Sequence, residues 1–225
     1  RALAIRMQHG TVLHTGDWKL DPNPLLGPTS DEAALRRLGD GGVLAMVCDS
    51  TNVFVEGQSG SEADVRDSLR DLVGRLENRI AIGCFASNVA RLGTIAEVAA
   101  EHGRQCALVG RSLWRMAASA QENGYLTGLP DFVAEHDVGF FPRDKILMIC
   151  TGSQGEPRSA LARIARNEHP HVTLEPGDAV VFSSRTIPGN EKSIARLQND
   201  LALQGVDVIT DLDEDIHVSG HPARD

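Results

Sequence analysis

The chain has 225 residues, of which 41% are hydrophobic, and its formal net charge is −9 at pH 7. No apolar run approaches the roughly 18 residues of a membrane span, and no basic-then-apolar leader is present, so we expect a cytoplasmic protein with no membrane partner. The negative charge argues against a protein that coats nucleic acid with a broad basic face, but it allows a local pocket for phosphate.

The first thirty residues predict a hairpin followed by a polar loop. Leu3–Met7 and Thr11–His14 lie on either side of Gln8-His9-Gly10, a pattern typical of two strands joined by a turn. The polar stretch HTGDWKLDPNP follows, and we expect this segment to belong to a separate layer or domain. Because the chain begins at Arg1 and is strand-like at once, we expect it to be a piece of a longer protein, here called the parent protein.

The rest of the chain repeats one order: an apolar run, a polar loop and a stretch with helical spacing. Continuous apolar runs are typical of strands that are covered on both faces. These runs are Val43–Cys48, Ile80–Phe85, Cys106–Val109, Ile146–Cys150, Ala179–Phe182 and Val206–Ile209. Helices are predicted after a cap at Ser61, over Asn88–His102, from Pro157, and over Asn190–Gln204. This order favours an α/β fold with an open, mostly parallel sheet flanked by helices.

None of the four cysteines lies in a CxxC pair. Cys48, Cys84 and Cys150 lie within apolar runs, and Cys106 begins one. We therefore predict buried, reduced thiols rather than zinc ligands or disulfides.

Polar loops follow five of the predicted strands, at the side where doubly wound sheets bind their ligands. Several lead into helix N-termini, which favour anions, and Arg111 and Arg185 add positive charge. The pattern favours a rim that binds phosphate or carboxylate groups. The alternative is that Ser, Thr, Asn and Gly are simply the residues that turns and caps use. The loops are DSTN (49–52), FASN (85–88), GRS (110–112), TGSQGEP (151–157) and SSRTIPGNE (183–191).

Two aspartates come directly after predicted strands or their polar extensions. Asp17 follows Thr11–His14, and Asp49 follows Val43–Cys48. An aspartate at such a place is usually a turn former or a cap. Alternatively, Asp17 is a carboxylate that bridges metal ions and Asp49 orients a ligand histidine.

The stretch HVSGH places His217 and His221 four residues apart. On a helix both would share one face, but Ser219-Gly220 and Pro222 make a continuous helix unfavourable. We therefore predict a loop whose histidines and serine bind a phosphate or a metal. Ordinary surface histidines are the alternative.

Six of these stretches occur in the order seen in ribonuclease J: HTGDWK, CDSTN, FASNVAR, TGSQGEPRSALARIA, FSSRTIPGNEKSI and HVSGH. The chain therefore resembles that family, the bacterial branch of the metallo-β-lactamase enzymes that carry a β-CASP domain. The resemblance implies a β-CASP domain over 61–221. It also implies partial segments of a metallo-β-lactamase αββα domain at 1–60 and 222–225.

The resemblance also implies roles for individual residues. Asp17 would bridge two zinc ions, Asp49 would orient a metal ligand, and His221 would contact the scissile phosphate, so that Asp49 and His221 are the catalytic candidates. The substrate-binding residues that the resemblance implies are Ala86, Ser87, Asn88, His217, Val218, Ser219, Gly220 and His221.

The implied activity of the parent protein is zinc-dependent cleavage of RNA, as a 5′-to-3′ exonuclease and endonuclease in mRNA decay and rRNA maturation. The implied substrate is RNA with a 5′ monophosphate, and the implied assembly is a homodimer or homotetramer. The family's HxHxDH metal cluster is not found in this sequence, so we expect the chain alone to hold no stable zinc pair and to be inactive. Two alternatives stay open: a non-catalytic module that binds phosphate or nucleotides, and a β-CASP nuclease that acts on DNA.

Overall fold

The computed structural model describes residues 2–224. The chain forms two compact units: the first joins the residues up to Ala63 to those from Val218 onward, and the second runs from Asp64 to His217. The predicted boundaries after residues 60 and 221 stay predictions, and the ends of the predicted segments, Arg1 and Asp225, lie outside the described residues. The HVSGH stretch divides between His217 and Val218.

The first unit is built on a three-stranded sheet. Strands β1 (Leu3–Met7) and β2 (Gly10–His14) pair antiparallel, as the predicted hairpin requires, and β3 (Ala45–Val47) pairs parallel with β2. Helix α1 (Glu32–Asp40), which we did not predict, begins where the Asp31 carboxylate accepts a hydrogen bond from the Ala34 N–H at 2.8 Å.

The second unit contains a six-stranded sheet in which every pair is parallel, in the order β6-β5-β7-β4-β8-β9. The predicted α/β class is confirmed. The strands are β4 (Ile80–Gly83), β5 (Gln105–Val109), β6 (Val133–Ala134), β7 (Ile146–Cys150), β8 (Ala179–Phe182) and β9 (Asp207–Ile209). The helices that follow α1 are α2 (Glu62–Arg75), α3 (Val89–Glu101), α4 (Arg111–Glu122), α5 (Ala160–Ala165) and α6 (Glu191–Ala202).

Three neighbouring inner strands, β7, β4 and β8, are buried along their whole length. Helices cover both faces of a parallel sheet, which is why these strands are continuous apolar runs in the sequence. Leu92 and Ile95 of α3 are fully buried, and burial of such a side chain contributes about 2 kcal/mol. None of the described helices is long and apolar enough to cross a membrane.

Three sequence predictions about elements were wrong. Helix α5 begins at Ala160, because the Ser159 hydroxyl caps it by accepting from the Ala162 N–H at 3.3 Å, and Pro157 lies in the turn before it. Arg111 is the first residue of α4 rather than part of a loop. Strand β3 is exposed rather than covered on both faces, because it is a short strand at the edge of the small sheet.

The four cysteines are free, as predicted, but only three are buried. Burial raises the pKa of the Cys106 and Cys150 thiols, which suppresses the reactive thiolate. Cys48 is exposed, which corrects the prediction that all four are buried.

We expect one thiol of the native chain to react rapidly with a disulfide reagent, and all four to react in denaturant. A Cys48→Ser variant should lose the rapid phase and keep the other three. A rapid phase that survives this substitution would show that the second unit exposes one of its thiols.

Candidate metal and phosphate site

Asp17, Asp49 and His221 come together in the first unit, with one potential ligand atom from each within 4.8 Å of the others. The sheet explains the approach of the two aspartates. Strands β2 and β3 are parallel neighbours, so the residues after them meet at the same edge. A hydrogen bond of 3.3 Å from the Asp49 N–H to the Thr15 hydroxyl joins these two ends.

Asp49 holds the imidazole of His221. Its Oδ2 lies 2.7 Å from His221 Nδ1, and its Oδ1 accepts from the Thr51 N–H at 2.9 Å and the Thr51 hydroxyl at 2.7 Å. Burial works to raise the pKa of Asp49, but the hydrogen bonds from Thr51 and His221 outweigh it and lower this pKa to about 2. An ionised carboxylate can only accept, so the proton lies on Nδ1 of His221, and Nε2 is the ring nitrogen left for a ligand.

The backbone around His221 is held as firmly as its ring. The Asn52 amide donates to the Ser219 hydroxyl at 2.9 Å, and the Ser59 hydroxyl donates to the His221 carbonyl at 2.7 Å. Lys19 Nζ donates to the Ser219 carbonyl at 3.1 Å. The Ser219 hydroxyl also accepts from the His221 N–H at 3.1 Å, so this side chain positions His221. Sequence reasoning missed Lys19, Asn52 and Ser59 in this role.

The three residues fit part of a metal site. Zinc takes four ligands from histidine, cysteine and carboxylate side chains. Both oxygens of Asp49 and the Nδ1 of His221 are engaged in hydrogen bonds, whereas Asp17 is exposed and its carboxylate has no partner among residues 2–224. Of the two carboxylates, Asp17 is therefore the one free to bind a metal, and a zinc pair needs more imidazoles than this cluster brings together.

Asp49 also makes the stability of the first unit depend on pH. Its pKa is about 2 in the folded chain and about 4 in an unfolded one, so folding favours the ionised form. Because the folded pKa is depressed, the stabilisation is fully present above about pH 4 and is lost as the pH falls towards about 2.

We expect Asp49→Asn to lower the free energy of unfolding by about 2 kcal/mol at pH 6 and by roughly half of that at pH 3. Urea unfolding followed by the fluorescence of Trp18, in a Trp114→Phe background, reports on the first unit. An equal loss at both pH values would contradict the assignment of this stability to the carboxylate.

Ala86, Ser87 and Asn88 form the loop after β4 in the second unit. The Asn88 side chain caps α3 by accepting from the Arg91 N–H at 3.0 Å. Ser87 is exposed, and its hydroxyl has no partner in the part of the chain that the structure describes. The loop therefore presents a free hydroxyl beside a helix N-terminus, an arrangement that suits an anionic oxygen.

Two other loops of the predicted rim, 151–157 and 183–191, bond to each other. Gln154 is buried and donates to the Ser184 hydroxyl and to the carbonyl of Arg185, while its own oxygen accepts from the N–H of Ile187. Turn and cap chemistry thus accounts for several of these polar residues. The predicted rim of five loops is also wrong in one respect, because Asp49 and its neighbours follow a strand of the small sheet.

A family model described as Ribonuclease J, beta-CASP domain, matches residues 77–201. The chain belongs to the ribonuclease J family. It is 52% identical over 223 residues to Ribonuclease J of Sinorhizobium meliloti, covering 99% of this chain and 40% of the relative. It is 43% identical to Ribonuclease J of Corynebacterium glutamicum, covering 97% of this chain and 31% of the relative. It is 36% identical to that of Thermus thermophilus, covering 99% of this chain and 39% of the relative.

These matches confirm the resemblance to ribonuclease J that the ordered motifs indicated. The chain spans 31% to 40% of the length of these three relatives. The part that matches the β-CASP model lies wholly within the second unit, whereas the Asp17, Asp49 and His221 cluster lies in the first.

Proposed function

We propose that the parent protein is a metal-dependent ribonuclease that hydrolyses RNA phosphodiester bonds. The observation that carries the proposal is the cluster of Asp17, Asp49 and His221 in a chain of the ribonuclease J family. The proposed activities are 5′-to-3′ exonuclease and endonuclease cleavage in mRNA decay and rRNA maturation, in the cytoplasm, by a homodimer or homotetramer.

Asp17 would hold the metal in this proposal, together with histidines from parts of the parent protein beyond this chain. A pair of zinc ions, when bound, supplies a water of lowered pKa as the attacking group. The isolated chain would then bind no stable zinc pair and cleave no RNA.

His221 would act on the phosphate. Because Asp49 fixes the proton on Nδ1, the Nε2 atom donates to a phosphoryl or leaving oxygen only when the ring is protonated. Asp49 would be the positioning residue that keeps the ring in this orientation and tautomer. The hydrogen bonds to Ser219 and to the His221 carbonyl support the same role, because they restrain the loop that carries the ring.

The second unit would bind the 5′ end of the RNA. The exposed Ser87 hydroxyl and the N-terminus of α3 suit a terminal phosphate, and we assign Ala86–Asn88 and His217 to that contact. Arg111, Arg158 and Arg196 are exposed on elements that follow β5, β7 and β8, without a partner among residues 2–224, and would contact RNA phosphates. A local cationic edge of this kind is compatible with a net charge of −9.

The test uses the full-length parent protein with matched oligonucleotides. RNA and DNA of one sequence, each with a 5′ monophosphate or a 5′ hydroxyl, are incubated with the protein before and after removal of metal by a chelator. We expect metal-dependent cleavage of RNA, fastest on the monophosphate. The isolated 225-residue chain is the matched inactive control.

Two other outcomes would replace the proposal. Equal or faster cleavage of the DNA would indicate a β-CASP nuclease that acts on DNA. Binding of the monophosphate without cleavage of either nucleic acid would indicate a non-catalytic nucleotide-binding module.

A further inference from the structure

Arg91 is a charged residue in the interior of the second unit. It lies in the first turn of α3, and its side chain is 0% exposed. Burying a guanidinium costs free energy unless its N–H groups find acceptors. The position therefore needs a reason beyond packing, since an apolar side chain would fill it at lower cost.

The acceptors of Arg91 lie on segments far away in the sequence. One guanidinium nitrogen donates to the Ser183 carbonyl at 3.2 Å, to the Ser183 hydroxyl, and to the Ile216 carbonyl at 2.9 Å. The Ser183 hydroxyl in turn donates to the Ile216 carbonyl at 2.7 Å. Ser183 directly follows β8, which is the parallel neighbour of β4.

The backbone of Arg91 contacts the loop after β4, which the proposed function assigns to the phosphate. Its N–H donates to the Asn88 side chain, which fixes the end of the loop that carries Ser87. Arg91 thus contacts the loop after β4 through its backbone and the residue before His217 through its side chain.

The carbonyl of Ile216 belongs to the same planar peptide unit as the N–H of His217. Two donors, Arg91 and Ser183, converge on this carbonyl. Because the peptide is planar, fixing the direction of the Ile216 carbonyl also fixes the direction of the His217 N–H.

We propose that Arg91 is a positioning residue that fixes His217 relative to Ala86–Asn88 for capture of the 5′ phosphate of RNA. This inference rests on the proposed function, and it adds a residue to which no ligand contact is assigned. The rigid, planar guanidinium fixes the direction of the nitrogen that donates to both Ser183 and Ile216, whereas a lysine ammonium ends a flexible stem.

The test compares Arg91→Lys with Arg104→Lys in the full-length parent protein. Arg104 is the matched control, because it is also a buried arginine, 7% exposed, that donates to the backbone carbonyls of Leu76 and Asn78. It directly precedes β5 and so lies at the amino edge of the sheet, whereas Arg91 lies at the carboxyl edge.

For Arg91→Lys we expect KM for 5′-monophosphorylated RNA to rise about tenfold, with kcat and the KM for 5′-hydroxyl RNA nearly unchanged. Ser183→Ala removes one of the two donors to Ile216. It should also raise the ratio of the KM for 5′-monophosphorylated RNA to the KM for 5′-hydroxyl RNA, but by less than Arg91→Lys does. Arg104→Lys should lower the melting temperature without changing this ratio of KM values.

A parent protein that cleaves RNA but whose Arg91→Lys and Arg104→Lys variants keep the same monophosphate-to-hydroxyl ratio would overturn the role of Arg91 alone. A parallel loss on both substrates in Arg91→Lys would also overturn it, because it would indicate a purely structural residue. A parent protein that cleaves no RNA would overturn the proposed function, and this role with it.

Discussion

Replacing His221 by alanine in the full-length parent protein is expected to lower kcat for RNA cleavage about 10²- to 10⁴-fold, with little change in KM. The reason lies in the contact between His221 Nδ1 and Asp49 Oδ2 at 2.7 Å, which leaves Nε2 as the only ring nitrogen available to the substrate. A group that acts on charge developing in the transition state contributes to kcat far more than to binding.

Asp49→Asn should lower kcat by a smaller factor, because the amide can still hold the ring but no longer dictates which nitrogen carries the proton. His136→Ala is the matched control: it removes an exposed histidine of the second unit that contacts neither loop assigned to the substrate. Zinc content should be unchanged in His221→Ala, because Asp17 and not His221 is the proposed ligand. Loss of zinc together with activity would instead place His221 among the metal ligands, and retention of a third or more of kcat would exclude it from catalysis.

Sequence reasoning predicted the interior of the second unit well. The strand over Ile146–Cys150 has the predicted bounds, because a run that is apolar at every position has few structures open to it other than a strand covered on both faces. Sequence reasoning was wrong about burial in the first unit, where a strand lies at the edge of a small sheet. Val43–Cys48 is also apolar at every position, yet β3 is exposed and only three residues long, since burial depends on neighbours that the sequence of the segment does not contain.

The candidate site could be predicted only in part. Asp17, Asp49 and His221 were each chosen from their motifs, but Asp49 and His221 are 172 residues apart in the sequence, so spacing could not pair them. Arg91 was missed as a positioning residue, because an arginine near a helix start normally indicates a solvated face. The one local signal was the Asp-Ser-Thr order, in which Asp49 accepts from the Thr51 N–H two residues on.

Asp178 is expected to matter most for the stability of the second unit. Its side chain is 0% exposed and accepts from the Arg79 N–H at 3.1 Å, from Arg143 Nε at 2.9 Å, and from the Glu175 N–H at 2.8 Å. Removing Asp178 leaves the buried guanidinium of Arg79 without its carboxylate, and leaves the Arg79 and Glu175 N–H groups without their acceptor. We therefore expect Asp178→Ala to lower the free energy of unfolding by about 3–5 kcal/mol.

Glu168→Ala is the matched control, because it breaks an ion pair with Arg166 of 2.8 Å between half-exposed side chains, which should cost less than about 1 kcal/mol. Urea unfolding of the 225-residue chain, followed by circular dichroism of the helices, measures both variants. Arg143 is already partly exposed, so if Asp178→Ala lost no more stability than Glu168→Ala, solvent would also have to reach the buried Arg79 in the native chain. An Asp178→Asn variant separates charge from hydrogen bonding, since the amide oxygen keeps one acceptor for the Arg79 N–H but no longer neutralises the two guanidinium groups.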